Sequence, residues 1–191
     1  MKFNQLVEMT RSCRRFDQKD LPQDFLDSLI EIARICPSAR NSQPLKYITI
    51  DDQDFMSRLF PNLLWAGALK NWDGPETNER PKAYIAMILD KSISGNAAWD
   101  SGIVAQTLQL YAMEQGIGSC ILGSFDKKKI TELLELDDKH EIQFLIAFGY
   151  PLEKRVIVDV KEESDVKYYR DDNEVHYVPK RSVQSLLLRK I

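Results

Sequence analysis

Cysteine is scarce. The 191 residues hold three, Cys13, Cys36 and Cys120, far apart and odd in number. That excludes a disulfide framework and offers no paired spacing for zinc, so three reduced thiols are expected. Histidine is scarcer still. His140 and His176 stand alone, without metal-ligand spacing, and read as structural or surface residues; no bound metal is expected. No apolar run approaches the roughly 18 residues of a membrane-crossing helix. The first residues, Met1 to Glu8, include an acid and lack the apolar stretch and small-residue cleavage site of a signal peptide, so a cytoplasmic location is expected. Positive charge is not in excess either. With 26 Lys and Arg against 29 Asp and Glu, the formal net charge is −3. This argues against a general nucleic-acid or anionic-membrane binder, while a local basic spot can still hold one small anion. The signatures G-x-S-x-G, H-E-x-x-H and the P-loop are all missing.

What is present is a globular mixture, 43% hydrophobic and 29% charged. There is no repeat, low-complexity tract or linker, and residues 1–191 read as a single domain. Residues 3–9 suit a short helix. Over 22–35, Phe25, Leu26, Leu29, Ile30, Ile32 and Ala33 share one face opposite Asp24, Asp27, Ser28 and Glu31, which predicts an amphipathic helix stopped by Pro37. Residues 45–51 and 82–90 are strand-like, and 53–60 a short helix. Residues 61–81 are irregular, and loops of that length are often functional. A long helix is predicted over 97–115, with Trp99, Ile103, Leu110 and Met113 on one face and apolar residues beyond it, hence burial on most sides in a core or subunit interface. A strand at 119–123, a helix at 126–136 and a buried strand at 141–148 follow. Two alternating runs, 166–170 and 174–178, flank Asp171-Asp172-Asn173 and suggest a hairpin. Such alternation predicts an α/β or α+β sheet between helices.

Four clusters can carry chemistry. Thr10-Arg11-Ser12-Cys13-Arg14-Arg15-Phe16 packs three arginines and a hydroxyl into one turn. It is either a solvated turn with surface ion pairs or an anion or flavin site, since arginine's planar fork suits phosphate. Pro37-Ser38-Ala39-Arg40-Asn41-Ser42-Gln43-Pro44 is either a plain turn, with Ser and Asn bonding their own backbone, or a rigid loop offering amides and hydroxyls to a polar heterocycle. Residues 116–123, Gly-Ile-Gly-Ser-Cys-Ile-Leu-Gly, are not a dinucleotide fingerprint. Ile121 stands where G-x-G-x-x-G needs glycine, and the order is helix then strand. Gly123 at the strand end can instead let a ligand approach the backbone. Lys180-Arg181, after Pro179, is either a solvated turn or a phosphate clamp.

Taken together, these clusters resemble the nitroreductase family over nearly the whole chain. Arg11-Ser12-Cys13-Arg14-Arg15-Phe16 is similar to its R-S-x-R-x-F motif, and 37–44 to its P-S-x-x-N-x-Q-P loop. Ile121-Leu122-Gly123 stands where the family passes backbone beside the flavin. Phe148-Gly149-Tyr150-Pro151 matches a G-x-P strand end, and Lys180-Arg181 a C-terminal phosphate clamp. The resemblance implies an α+β fold, a central, mostly antiparallel sheet flanked by helices, with a C-terminal extension packing on the partner subunit. It implies a homodimer holding FMN at the subunit interface. The implied reaction is ping-pong transfer of a hydride from NAD(P)H through FMN to a small acceptor such as a nitroaromatic or quinone. The alternative is a non-catalytic FMN-binding module for storage, sensing or transfer.

On that resemblance no side chain is itself catalytic, because the cofactor carries the chemistry. Lys180 and Arg181, helped by Arg11, hold the phosphate; Ser12 meets the ribityl chain or ring edge; Arg14 sits near N1–C2=O. From the partner subunit Pro37, Ser38, Ala39, Asn41 and Gln43 line the ring and ribityl. Leu122 and Gly123 offer backbone near N5. Trp65, Lys70 and Trp72 shape the substrate side. Many family members carry an arginine where this chain has Thr10, which shifts or removes one phosphate or ribityl contact.

Overall fold

The chain is organised around its longest strand, β5 (His140–Pro151). The computed structural model describes residues 1–70, 72–160 and 166–191; Asn71, in the 61–81 loop, lies outside them. On one edge of β5 runs β3 (Ala83–Asp90), which pairs outward with β2 (Leu45–Ile50). The other edge is shared end to end by β4 (Gly118–Leu122) and the two-residue β1 (Phe16–Asp17). Every pairing in this sheet is antiparallel. The architecture is the expected α+β one, an antiparallel sheet between helices.

Alternation along the strands divides the core in two. Tyr84, Ala86 and Ile88 of β3 join Leu145 and Ala147 of β5 on one face, under α3 (Gln53–Leu59) and α5 (Lys127–Leu133). Ile85, Met87 and Leu89 join Ile146 and Phe148 on the other, against α2 (Phe25–Arg34) and α4 (Ala98–Glu114). Helices cover both faces, so the strand is apolar throughout instead of alternating with polar residues.

Three sequence expectations shift. Residues 22–24 form a turn, with Phe25 N donating to Pro22 O, and α2 begins only at Phe25. Helix α4 is buried on one face, through Asp100, Ser101, Val104, Ala105, Leu108 and Ala112. Trp99 and Ile103 lie outside it, 82% and 41% exposed, so burial on most sides does not hold within one chain. Small residues at 101, 105 and 112 let the helix approach the sheet, a signal that a count of large apolar residues overlooks. The 141–148 strand also runs on to Pro151, where β1 pairs with its end.

That pairing depends on glycine. A Cβ at Gly149 would stand 2.8 Å from Phe16 Cδ1, and one at Gly118 would stand 3.0 Å from Cys13 Cβ. The two bare backbones let the 12–17 segment lie against β4 and β5, which fixes where its arginines emerge.

A second sheet follows. β8 (His176–Lys180) pairs with β7 (Tyr169–Arg170) antiparallel, closing the expected hairpin, and with β6 (Arg155–Asp159) parallel. β6 had no counterpart in the sequence pattern. The two remaining helices are α1 (Phe3–Met9) and α6 (Val183–Leu186). Beyond α6, Leu187, Leu188 and Ile191 are exposed. No described helix is long and apolar enough to cross a membrane.

Candidate functional site

The arginine-rich segment is pinned from several directions. Thr10 Oγ1 donates to Leu6 O at 2.7 Å. The Arg11 guanidinium folds back on α1, with Nε donating to Thr10 O (2.6 Å) and Nη2 to Val7 O (2.8 Å), so it caps carbonyls left free at the helix end. Cys13 N donates to Ser119 O of β4 at 2.8 Å. Arg14 N donates to Glu153 Oε1 at 2.6 Å. Arg15 turns the other way, into a two-point pair with Glu79 at 2.6 and 2.7 Å. Each arginine therefore has a different task, which sequence spacing did not separate.

Arg11, Ser12 and Arg14 line one cavity of about 220 Å³. Gln106 and Gln109 of α4 form another wall, and Tyr168, His176 and Lys180 a third. Residues about 170 positions apart in the chain thus meet around one space. Lys180 and Arg11 also border an adjoining groove, where Arg181 joins them. The cavity is basic in an unusual way. Arg14 is 8% exposed, yet its guanidinium has no carboxylate partner among the described residues; Nη1 lies 3.2 Å from His176 Nε2, and its carbon sits 4.5 Å over the Tyr168 ring. Burial and the neighbouring arginines, Arg14 first among them, push the His176 pKa down to about 4. His176 Nδ1 is buried without a partner among the described residues.

The 37–44 loop is built separately. A single 3-10 turn, Ala39–Asn41, carries positive φ at Arg40 and Asn41 (both 54°), and Gln43 follows at 50°. Left-handed backbone is disfavoured for these side chains and needs external support. Buried Asp100, in the first turn of α4, supplies it. Its Oδ2 accepts from Ser38 Oγ at 2.7 Å and its Oδ1 from Ala39 N at 3.0 Å. Ser38 Oγ accepts in turn from Gln43 N at 2.9 Å. Pro37, Ser38 and Gln43 border a different cavity, of about 260 Å³, while the Asn41 and Gln43 side chains are exposed. Along α4 the cavity's two glutamines, Gln106 and Gln109, lie six and nine positions beyond Asp100, about 9 and 14 Å at 1.5 Å per residue. Among the described residues, the cavity beside the loop and the arginine cavity share no lining residue.

Leu122 ends β4 with its side chain buried, and Gly123 follows in the open, with no atom within 4 Å of where a Cβ would stand. The 61–81 loop is tied to this strand end by Leu64 N donating to Ser124 O at 3.0 Å. Trp65 is 6% exposed, tilted against Phe60 (centroids 5.8 Å apart) and covered by Gly74, so it packs in the core of its own chain. Trp72 is half-buried beneath the Arg170 guanidinium at 4.7 Å. Lys70 is the exposed member of the three.

Cys13 and Cys120 are buried, and Cys36 is half-buried beside the 37–44 loop. All three are unpaired, and burial pushes Cys13 up to about 12 and raises Cys120. Sequence reasoning missed Gln106, Gln109, Tyr168, His176, Asp100 and Glu153. The last two had a faint signal, an acid inside an otherwise apolar stretch or beside a strand end. The others became visible only once α4 and β8 were placed beside the arginine segment.

Comparison with known proteins agrees with this arrangement. The nitroreductase family model matches residues 7–150. An oxygen-insensitive NADPH nitroreductase of Helicobacter pylori is 26% identical over 183 residues, covering 78% of this chain and 87% of that protein. A nitroreductase family protein from Streptococcus pneumoniae has the same fold, at TM-score 0.69 and 23% identity, covering 99% of this chain and all of that one. An FMN-dependent nitroreductase from Clostridium difficile superposes at TM-score 0.61 and 23% identity, over 88% and 92% of the two chains. With its antiparallel sheet, its arginine-lined cavity and a family match over most of its length, this chain belongs to the nitroreductase family.

Proposed function

We propose that this chain binds FMN in the cavity of Arg11, Ser12 and Arg14, and that as a homodimer it oxidises NAD(P)H and reduces a small acceptor such as a quinone or nitroaromatic. One observation carries the reading: Arg11, Ser12, Arg14 and Lys180 converge on a single cavity although the chain separates them widely. The donor set fits the group. Arg14 is a buried cation with no carboxylate partner among the described residues, and the glutamines and serine around it match the carbonyls and hydroxyls of a ring and ribityl chain. Bound FMN supplies the hydride chemistry, so the chain's task is to bind, orient and exclude water.

Lys180 and Arg181, at the junction of cavity and groove, hold the phosphate. Arg11 adds what its Nη1 leaves free, since Nε and Nη2 already serve α1. Ser12 bonds the ribityl chain. Arg14 faces the N1–C2=O edge, where a cation favours the negatively charged form of the ring. Leu122 and Gly123 present backbone beside N5, with Lys70 and Trp72 on the substrate side. The 37–44 loop borders a cavity of its own, which shares no lining residue with the arginine cavity of the same chain. Pro37, Ser38, Ala39, Asn41 and Gln43 therefore line the site of a second copy, and the exposed tail after α6 packs on that copy.

The purified protein is expected to be yellow, with about one FMN per chain released by heat. Stoichiometric FAD, or a colourless protein that takes up no FMN, overturns the reading. Steady-state NAD(P)H oxidation with quinone or nitroaromatic acceptors separates an enzyme from a flavin-binding module: bound FMN without turnover favours the module.

A further inference from the structure

Arg14 poses a problem of its own. Its guanidinium is almost fully buried, and a buried cation normally takes a carboxylate partner. Glu153 is close enough to bind Arg14, but it takes the backbone N–H, and its other oxygen accepts from Arg170 Nη2 at 2.9 Å. The guanidinium instead rests against two neutral groups. The Tyr168 ring lies under its face, and the His176 ring stands at its edge. Tyr168 is held in turn, its hydroxyl accepting from Ala68 N at 3.3 Å and its ring 5.3 Å from that of His176.

We propose that His176 is the positioning residue for Arg14: it accepts the guanidinium Nη1–H at Nε2 and so fixes the cation in the cavity without neutralising it. This rests on the FMN reading of the same cavity and deepens it. A carboxylate at position 176 would hold Arg14 as firmly but cancel the charge that a bound ring has to feel.

The chemistry of the pair fixes the state of the imidazole. Arginine has donors only and stays charged, so the atom 3.2 Å away must accept. A neutral imidazole has one acceptor nitrogen; with Nε2 accepting, the proton sits on Nδ1. A protonated ring would have no acceptor and would face Arg14, Arg170 and Arg155 together, and the low pKa of His176 follows from burial and those three charges. The Nδ1–H is then a buried donor without a partner among the described residues, on a residue that lines the cavity.

The test compares the affinities of apoprotein for oxidised and for chemically reduced FMN. A residue that only supports the fold weakens both equally. Loss of Arg14 positioning weakens the reduced, more negative form more. In H176L the ratio of reduced to oxidised dissociation constants is expected to rise about tenfold, equivalent to a midpoint potential lowered by about 30 mV for a two-electron couple. H176Q, whose side-chain oxygen can accept at the position of Nε2, keeps the wild-type ratio. An unchanged ratio in H176L, or equal shifts in both variants, overturns the inference. A second measurement needs no variant at position 176. In ¹⁵N-histidine-labelled, ligand-free protein at neutral pH, with His140 assigned through H140Q, the His176 ring is expected to be neutral and protonated at Nδ1. An Nε2–H tautomer or an imidazolium overturns the inference. Wild-type apoprotein that takes up no FMN defeats the FMN reading instead, and the labelled-histidine result stands apart from it.

Discussion

The Asp100 carboxylate receives the Ser38 hydroxyl at 2.7 Å, and with it the shape of the whole 37–44 loop. Ser38 Oγ accepts from Gln43 N, so the acid, the serine and the left-handed residues between them form one braced unit. If that loop lines a second copy's flavin, its fit depends on Asp100, which braces it from α4. Asp100→Ala removes two hydrogen bonds to a buried charge, each contributing about 1.5–3 kcal/mol. FMN affinity is expected to fall at least tenfold, while the arginine cavity of each chain stays intact. Titration of the apo variant checks this. Wild-type affinity in Asp100→Ala would mean the loop takes no part in the site.

Arg181 tests the phosphate assignment. It is exposed, and a surface turn tolerates its loss within roughly 0.5 kcal/mol. A charge-assisted bond to phosphate is worth about 1.5–3 kcal/mol, so Arg181→Ala is expected to weaken FMN binding by roughly 10- to 100-fold. Riboflavin, which lacks the phosphate, should be far less affected. Lys180→Ala should act on FMN in the same sense. Equal losses for both ligands would assign Arg181 to the fold.

Much of this was legible in the sequence, and what was not has physical reasons. Apolar runs located β2, β3 and β5, because burial dictates composition strongly there. The arginine segment, the 37–44 loop and Lys180-Arg181 stood out as local clusters, and their order carried the family resemblance. Contacts between distant residues left no such trace. Nothing in a lone histidine at 176 announces that it will stand beside Arg14, and nothing in Asp100 announces Ser38. For Trp65 the local signal was plain and its burial was not. An aromatic in an irregular loop suggests a ligand contact, but here a positive-φ glycine at 74 (φ 125°) folds the loop over it and buries it.

Glu153 is the anchor behind the cavity. Its side chain is 0% exposed, and it joins Arg14 N to the Arg170 guanidinium. Removing one partner from a buried charge pair costs about 3–5 kcal/mol, because the other is left uncompensated. Glu153→Ala is expected to lower Tm by about 10 °C for a domain of this size. Glu153→Gln, which keeps an acceptor for Arg14 N, should lose less. Thermal unfolding followed by circular dichroism checks both, and an unchanged Tm in Glu153→Ala would mean water already screens the network.

The depressed pKa of His176 has a consequence for stability. The ordinary value is 6.5 and the folded one about 4, so between them the unfolded chain binds a proton that the folded chain refuses. The stabilisation is therefore fully present above pH 6.5 and is lost as pH falls towards 4, by at most about 1.4 kcal/mol per pH unit. Glu79, held below its usual value of 4.5 by the Arg15 bond, loses its own contribution only at lower pH. The window from pH 6.5 to 5 thus isolates the histidine. Across it, urea unfolding of the wild type is expected to lose about 1.6 kcal/mol. His176→Gln removes the titrating group and should flatten the profile, whatever its absolute stability. A wild-type profile as flat as the variant's would mean that the folded chain accepts the proton beside Arg14, and that the ring is less desolvated than its burial implies.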